Sequence, residues 1–434
     1  MLSNNDSDCD VLVIGGGPAG ATAAALLAER GLDVVMLEKS AHPRFHIGES
    51  LLPRNMAIFD RLGLTEAVAA IGVLKPGAEF VLDETGESSP FQFACARRAV
   101  YGHSYQVPRA PFDALLFRNA CDKGARGIEN MQVSDVTLAP AGRRSHVNAT
   151  DAAGATHGFA PRYILDASGR DTFLAGRMAI KDSNKRSNTA AMYGHFRGVE
   201  ARCDEREGYI TVHLAEDGWF WMIPLPDGVM SIGFVGTQAA FKQRRGTVEQ
   251  FFLERLRASP TVSARIQNAE LISDVTGTGN YSYRARSASG EGYMLIGDAF
   301  AFVDPMFSSG VLLAMTAGEF GADVAAKWLD NPAAARVMAR RAERRLVRGM
   351  DSLSWLIYRI NEPVLRRLFM SPSNVMGIRD GLVAMLAGNL ELDWRAKLPV
   401  LVFKTIYHAF KLAERIAAWR SPIVRHAQPS IAAE

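Results

Sequence analysis

The sequence predicts an α/β protein with α+β character: a parallel-sheet domain, a sheet-rich second domain stitched into it, and a helical C-terminal region. Three observations carry this. A complete strand–helix–strand unit opens the chain, alternating strands fill residues 190–285, and the pattern turns helical from about Asn331. At 434 residues the chain is too long for one ordinary core, and two or three interleaved domains are expected. With 48% apolar and 22% charged residues, the composition is that of a globular protein. A net charge of +3 argues against a dedicated nucleic-acid binder. Cys9, Cys95, Cys121 and Cys203 form no CxxC pair, so neither a disulfide framework nor a zinc site is indicated. The polar start MLSNNDSDCD is unlike a secretory signal, and no apolar run reaches the roughly 18 residues of a membrane span. A cytoplasmic location is the default expectation.

In CDVLVIGGGPAGATAAALLAERGLDVVMLEKS, residues 11–14 read as a buried strand, 18–30 as an Ala-rich helix and 33–37 as a second strand. Gly15, Gly17 and Gly20 form GxGxxG at the strand-to-helix turn. The first permits the tight turn, the second lets backbone approach a pyrophosphate, and the third lets helix pack on strand. The helix N-terminus, opening at Pro18–Ala19, offers free N–H groups to that pyrophosphate. Glu38 closes the second strand, where an acid accepts ribose hydroxyls. The unit predicts a Rossmann-like dinucleotide-binding domain.

Later segments resemble the FAD-containing monooxygenases of the p-hydroxybenzoate hydroxylase type, which implies FAD as the dinucleotide. YMLIGDAFAFVDPMFSSGVLLAMTAGEF (293–320) is similar to their second fingerprint, with Gly297–Asp298 ending a strand and a helix starting near Ser309. The resemblance gives Asp298 to a ribityl hydroxyl and aims that helix at the isoalloxazine. QVPRAPFDALL matches the flavin-side helix and carries over Gln106 and Arg109, with Asp113 structural. YILDASGRD (163–171) resembles the third strand, with Asp166 and Gly169 near the cofactor. Lys39, Arg44, Ser50 and Pro305 complete the implied cofactor contacts.

Three further stretches resemble the flavin-dependent halogenases. HPRFHIGESLLP (42–53) is similar to the loop that connects their flavin and substrate sites, with Gly48–Glu49–Ser50 as its hallmark. Lys75 in VLKPGAEF matches their catalytic lysine. It lies in an otherwise uncharged run (67–78), and a buried ammonium is a strong donor with a labile proton. DGWFWMIPLP (217–226) fits WxWxIP at Trp219, Trp221, Ile223 and Pro224. Alternation puts both indoles on one strand face, either as core or as a partition beside the flavin. The resemblance implies that reduced FAD, O2 and chloride or bromide give hypohalous acid, which Lys75 delivers to an electron-rich arene. PMFSSGV (305–311) supplies the halide site through the Ser309 and Gly310 backbone donors.

Tryptophan-acting halogenases carry a Glu where this chain has Phe307, which favours a self-activating phenol or pyrrole, free or tethered to a carrier protein. A separate NAD(P)H-dependent flavin reductase is expected as partner, with a monomeric or homodimeric enzyme and a role in secondary-metabolite biosynthesis. An FAD-dependent aromatic hydroxylase and an isoprenoid reductase are the alternatives. The expected division is 8–85, 100–180 and 285–330 for the FAD-binding domain, 86–99 and 181–284 for a β-rich substrate domain, and 331–434 for the helical region. In the last, Arg336, Arg340, Arg341, Arg344, Arg345 and Arg348 read as a solvated helix face or a docking surface for an acidic carrier protein. Residues 398–419 read as an amphipathic helix with Val402, Ile406, Phe410 and Ala413 on its buried stripe, packed over the substrate mouth or loosely against a membrane.

Overall fold

The computed structural model describes residues 7–95, 101–183, 189–242, 244–279, 282–302, 305–360, 362–370, 378–388 and 394–420. Ser7–Ile14 is the central strand of an eight-stranded sheet and pairs in parallel with Val34–Leu37 on one side and Thr156–Asp166 on the other. Arg126–Ile128 and Tyr293–Leu295 extend it in parallel. Parallel strands covered on both faces carry continuous apolar runs, and Val11, Leu12 and Val13 are wholly buried.

The helix Pro18–Ala28 buries every residue from Ala19 to Ala28. Its small side chains let other helices approach closely: a Cβ added at Gly318, in the helix Gly310–Asp330, would lie 2.5 Å from the Ala19 carbonyl oxygen. The helix Arg109–Asp122 covers another flank. This half has the α/β layering expected of the strand–helix–strand unit.

A second eight-stranded sheet holds Thr189–Arg197, Val229–Thr237, Gly218–Pro224 and Ile210–Leu214 in that order. Gly77–Leu82 adds to it, parallel to Ile210–Leu214, and Ser88–Gln92 pairs with Gly77–Leu82. This corrects one expected boundary. The chain enters the second sheet at Gly77, not after residue 85, because its strand partner lies about 130 residues downstream.

The helices Pro332–Ile357, Pro363–Met370, Ile378–Leu386 and Trp394–Arg420 form the C-terminal region. All six arginines between 336 and 348 are exposed. The last helix corrects a second expectation. Among its described residues Val400, Phe403 and Tyr407 are buried, the last two joining the apolar cluster that holds Trp219 and Phe307. Phe410 is 52% exposed, Ala413 is exposed, and Val402 and Ile406 are half-buried. Among the described residues no helix is long and apolar enough to cross a membrane.

Candidate active site

A cavity of about 570 Å³ opens where the two sheets meet. Gly15, Gly17, Pro18 and Ala19 form one end. Gly15 takes φ +100°, and a Cβ there would lie 2.4 Å from the Ala167 carbonyl oxygen. At Gly20 a Cβ would lie 1.9 Å from the Gly15 oxygen, so that glycine serves helix–strand packing behind the cavity. At Gly17 the nearest atom to an added Cβ is 3.7 Å away, in Arg44, which leaves the pyrophosphate position open. Glu38 is 3% exposed and accepts from Gly16 N at 2.9 Å and Arg44 Nη2 at 3.1 Å. Burial alone would raise its carboxyl; Arg44 and the Gly16 N–H hold it below the usual range. Lys39 lies at the exposed rim and pairs with Asp171.

The opposite end is built from both domains. Arg109 donates Nε and Nη2 to Asp113 at 2.8 and 2.9 Å, a buried fork one helical turn long, and Nη1 to Ile47 O at 2.7 Å. That last bond fixes the loop leading into Gly48–Glu49–Ser50. Asp298 lines the cavity, and its carboxylate has no hydrogen-bonding partner among the described residues. Burial pushes it up to about 6, against the pull of Arg109 and Arg170. Met306, Ser308, Gly310 and Val311 bring the start of the helix Gly310–Asp330 to the same space, with Ser308 at φ +57°. Trp219, Trp221 and Ile223 face it from the second sheet, while Phe220 and Met222 point into the core behind. The indole centroids are 5.9 Å apart. Trp221 donates to Ser231 Oγ and lies over Gly233, where an added Cβ would be 2.2 Å from the ring.

Several expected site residues stand off the cavity. Asp166 is fully buried and its two oxygens accept from Ser168 N and Leu174 N, so it organises the turn whose next residues, Ala167 to Asp171, line the space. Gln106, Gly297, Ser309 and Pro224 are not among the lining residues. Pro305 opens a short turn, and its side chain lies outside the described residues. Lys75 also lies off the cavity, 1% exposed at the end of the strand Val73–Lys75. Its Nζ donates to Ser50 Oγ at 2.7 Å and Leu51 O at 2.8 Å and stands 5.4 Å from the Phe93 ring centroid. Ser50 therefore touches both the cavity and Lys75. Two residues not singled out in the sequence also line the cavity or contact its wall. His46 is pushed down to about 4 by burial and by Arg109 and Arg44. His195 places Nε2 2.8 Å from Glu49 Oε1.

Residues 8–323 match the family model described as FAD binding domain. The myxobacterial chondrochloren halogenase CndH, described as a variant of FAD-dependent halogenases, superposes with TM-score 0.76 at 30% identity, covering 89% of this chain and 91% of that one. The chain belongs to the flavin-dependent halogenase family. A tryptophan 2-halogenase of Chondromyces crocatus is 38% identical over 71% of this chain and 59% of its own length, so the chain spans about three fifths of that relative. A flavoprotein/dehydrogenase from Cytophaga hutchinsonii superposes with TM-score 0.85 at 28% identity over 94% and 100% of the two chains.

The residues present fit FAD: an open glycine turn that suits a pyrophosphate, a buried acid that suits a ribose, and an unpartnered carboxylate lining the cavity. That carboxylate yields a prediction. Were ribityl hydroxyls to donate to ionised Asp298, FAD would bind more weakly as pH falls through about 6. Asp298→Asn should weaken FAD about tenfold at pH 8 and flatten that pH dependence. Fluorescence titration of FAD between pH 5 and 8 checks this, and an unchanged slope in the variant would assign the effect elsewhere.

Proposed function

We propose that this chain is a halogenase that uses reduced FAD, O2 and chloride or bromide to halogenate an electron-rich phenol or pyrrole. The observation that carries the reading is Lys75, a buried ammonium held by two neutral acceptors and no carboxylate. Burial pulls it down to about 7, so the free amine is populated near neutrality. An amine in that state can hold hypohalous acid by hydrogen bond, or react with it to give an N-haloamine and water.

Reduced FAD with O2 supplies the two-electron oxidising equivalent that turns halide into hypohalous acid. The protein's part is placement. The N–H of Gly310, at the cavity, suits a halide, with Ser309 behind it at the N-cap, where the helix start favours an anion. Trp219, Trp221 and Ile223 fill the wall that would otherwise admit an arene to the flavin. Beyond it, Phe80, Phe91, Phe307 and Phe369 pack with ring centroids 4.8 to 6.4 Å apart. With Phe307 there, no acid stabilises charge on the ring under attack, which supports a substrate that activates itself.

The similarity to a tryptophan 2-halogenase makes indole the competing ring. A carrier-tethered substrate is also in keeping with the exposed arginines of Pro332–Ile357, which suit an acidic carrier. A separate NAD(P)H-dependent reductase would supply the reduced flavin. Mass spectrometry of phenols, pyrroles, free tryptophan and their carrier-bound forms, incubated with reduced FAD, O2 and each halide, tests the proposal. Halide-dependent mass gain on a phenol or pyrrole is expected, with none on tryptophan. Rapid NADPH oxidation without a reductase, and no halogenated product, would instead support the hydroxylase or dehydrogenase reading.

A further inference from the structure

Ser50 lines the cavity and accepts from Lys75, and the residue before it carries an unused acceptor. Glu49 is 1% exposed and lines the cavity. Its Oε1 is held by His195 Nε2 at 2.8 Å, whereas Oε2 is buried with no hydrogen-bond partner. A buried carboxylate oxygen left in that condition costs free energy unless something donates to it. The next residue, Ser50, has its hydroxyl on Lys75 Nζ. The backbone here is fixed on both sides, with Val107 N donating to Glu49 O at 2.7 Å and Leu51 N to Tyr105 O at 3.0 Å. The side chain is fixed as well, because His195 comes from the second sheet and its ring is braced edge-on by Phe45 at 5.7 Å.

We propose that Glu49, backed by His195, is the acceptor that receives neutral hypohalous acid at the cavity wall and holds it beside Ser50 for Lys75. This rests on the halogenase reading above. An O–H donor satisfies Oε2, so the acid is held with its proton and its halogen left electrophilic. A carboxylate repels halide and hypohalite anions, so the same oxygen passes the neutral oxidant and keeps halide on the flavin side. No bond is made or broken at Glu49; the acid arrives and leaves with the same atoms. His195 is a positioning residue. Burial alone would strip its proton, and Glu49 holds it in place, raising the imidazole above its ordinary value.

The test is a competition. Full-length protein is given reduced FAD, O2, bromide, a phenol that the wild type brominates, and a freely diffusing 1,3-diketone that traps escaped hypobromous acid. Glu49→Gln should shift the ratio of bromophenol to bromodiketone about tenfold toward the diketone, the size expected for a lost bond to a charged acceptor. His195→Phe keeps the ring against Phe45 but loses the donor and should shift it the same way, whereas His195→Gln, which can still donate, should largely restore it. A second arm omits flavin. One equivalent of hypobromous acid is added to FAD-free protein, and the N-bromo equivalents on Lys75 are counted by difference from Lys75→Ala. Glu49→Gln should lower that count about tenfold. FAD dissociation constants are measured alongside. An unchanged ratio, with the wild type halogenating both acceptors, overturns the inference and leaves the halogenase reading standing. Loss of both products together with weakened FAD binding shows a clasp that is only structural, which also overturns it. If the wild type halogenates neither acceptor, the halogenase reading itself is overturned.

Discussion

Lys75→Met should give a protein that binds FAD as the wild type does, forms no halogenated product, and unfolds at a higher temperature. The rise follows from burial. Holding an ammonium where its pKa falls from 10.5 to about 7 corresponds to about 5 kcal/mol at about 1.4 kcal/mol per unit. Methionine has similar length and no charge to desolvate. The abandoned acceptors, Ser50 Oγ and Leu51 O, return about 2–3 kcal/mol of that, leaving a net gain of about 2 kcal/mol. The pH dependence fixes the cause. A lysine with a depressed folded pKa destabilises fully below about 7 and not at all above its unfolded value, so the wild type should close the gap between pH 7 and about 10.5. Thermal unfolding of both proteins across that range, with FAD titration and product mass at pH 7, checks each part. A variant less stable than the wild type at pH 7 would mean that Lys75 is held there by its contacts rather than strained.

How much of this was legible in the sequence depends on the range of the interaction. The glycine turn, the acid at Glu38 and the alternation that turns Trp219, Trp221 and Ile223 to one side are local features, and the structure reproduces them at the expected positions. The crossing at Gly77 is not legible in the sequence, because a parallel strand carries no mark of its partner, here Ile210–Leu214. The stripe on the last helix differs from the expected one for a related reason. Both Phe403 and Phe410 fit an apolar pattern, and only the neighbouring helices select Phe403 and Tyr407. Asp166 illustrates another limit: motif position places it near the cofactor, but two backbone N–H groups consume its oxygens. His195 carries no local signal, because its partner Glu49 lies 146 residues away.

The pair that most strongly joins stability to the site is Arg109 and Asp113, and its removal should show the difference between the two. Asp113 is fully buried and takes both arms of Arg109 as well as Arg44 Nη1 at 3.3 Å. Burial would raise this carboxyl, but the Arg109 charge overrides it and holds it below the usual range. Its stabilisation is therefore complete above its unfolded value near 4 and is lost only as pH falls through the lower folded value. Asp113→Ala leaves two guanidinium groups without that counter-charge, and such an uncompensated buried charge costs about 3–5 kcal/mol. The same change frees Arg109 from the one orientation in which Nη1 reaches Ile47 O. Gly48 crosses that guanidinium at φ +110°, and a Cβ there would lie 3.0 Å from Nη1, so the loop's path is drawn around this one side chain. FAD affinity should fall more than about tenfold with the stability. The double variant Arg109→Met, Asp113→Leu separates the effects. Apolar replacement of a whole buried pair is close to neutral for stability, so its denaturation midpoint should recover while FAD affinity stays low. Recovery of both would show that packing alone sets the loop, and a midpoint unchanged in Asp113→Ala would remove the pair from the fold's supports.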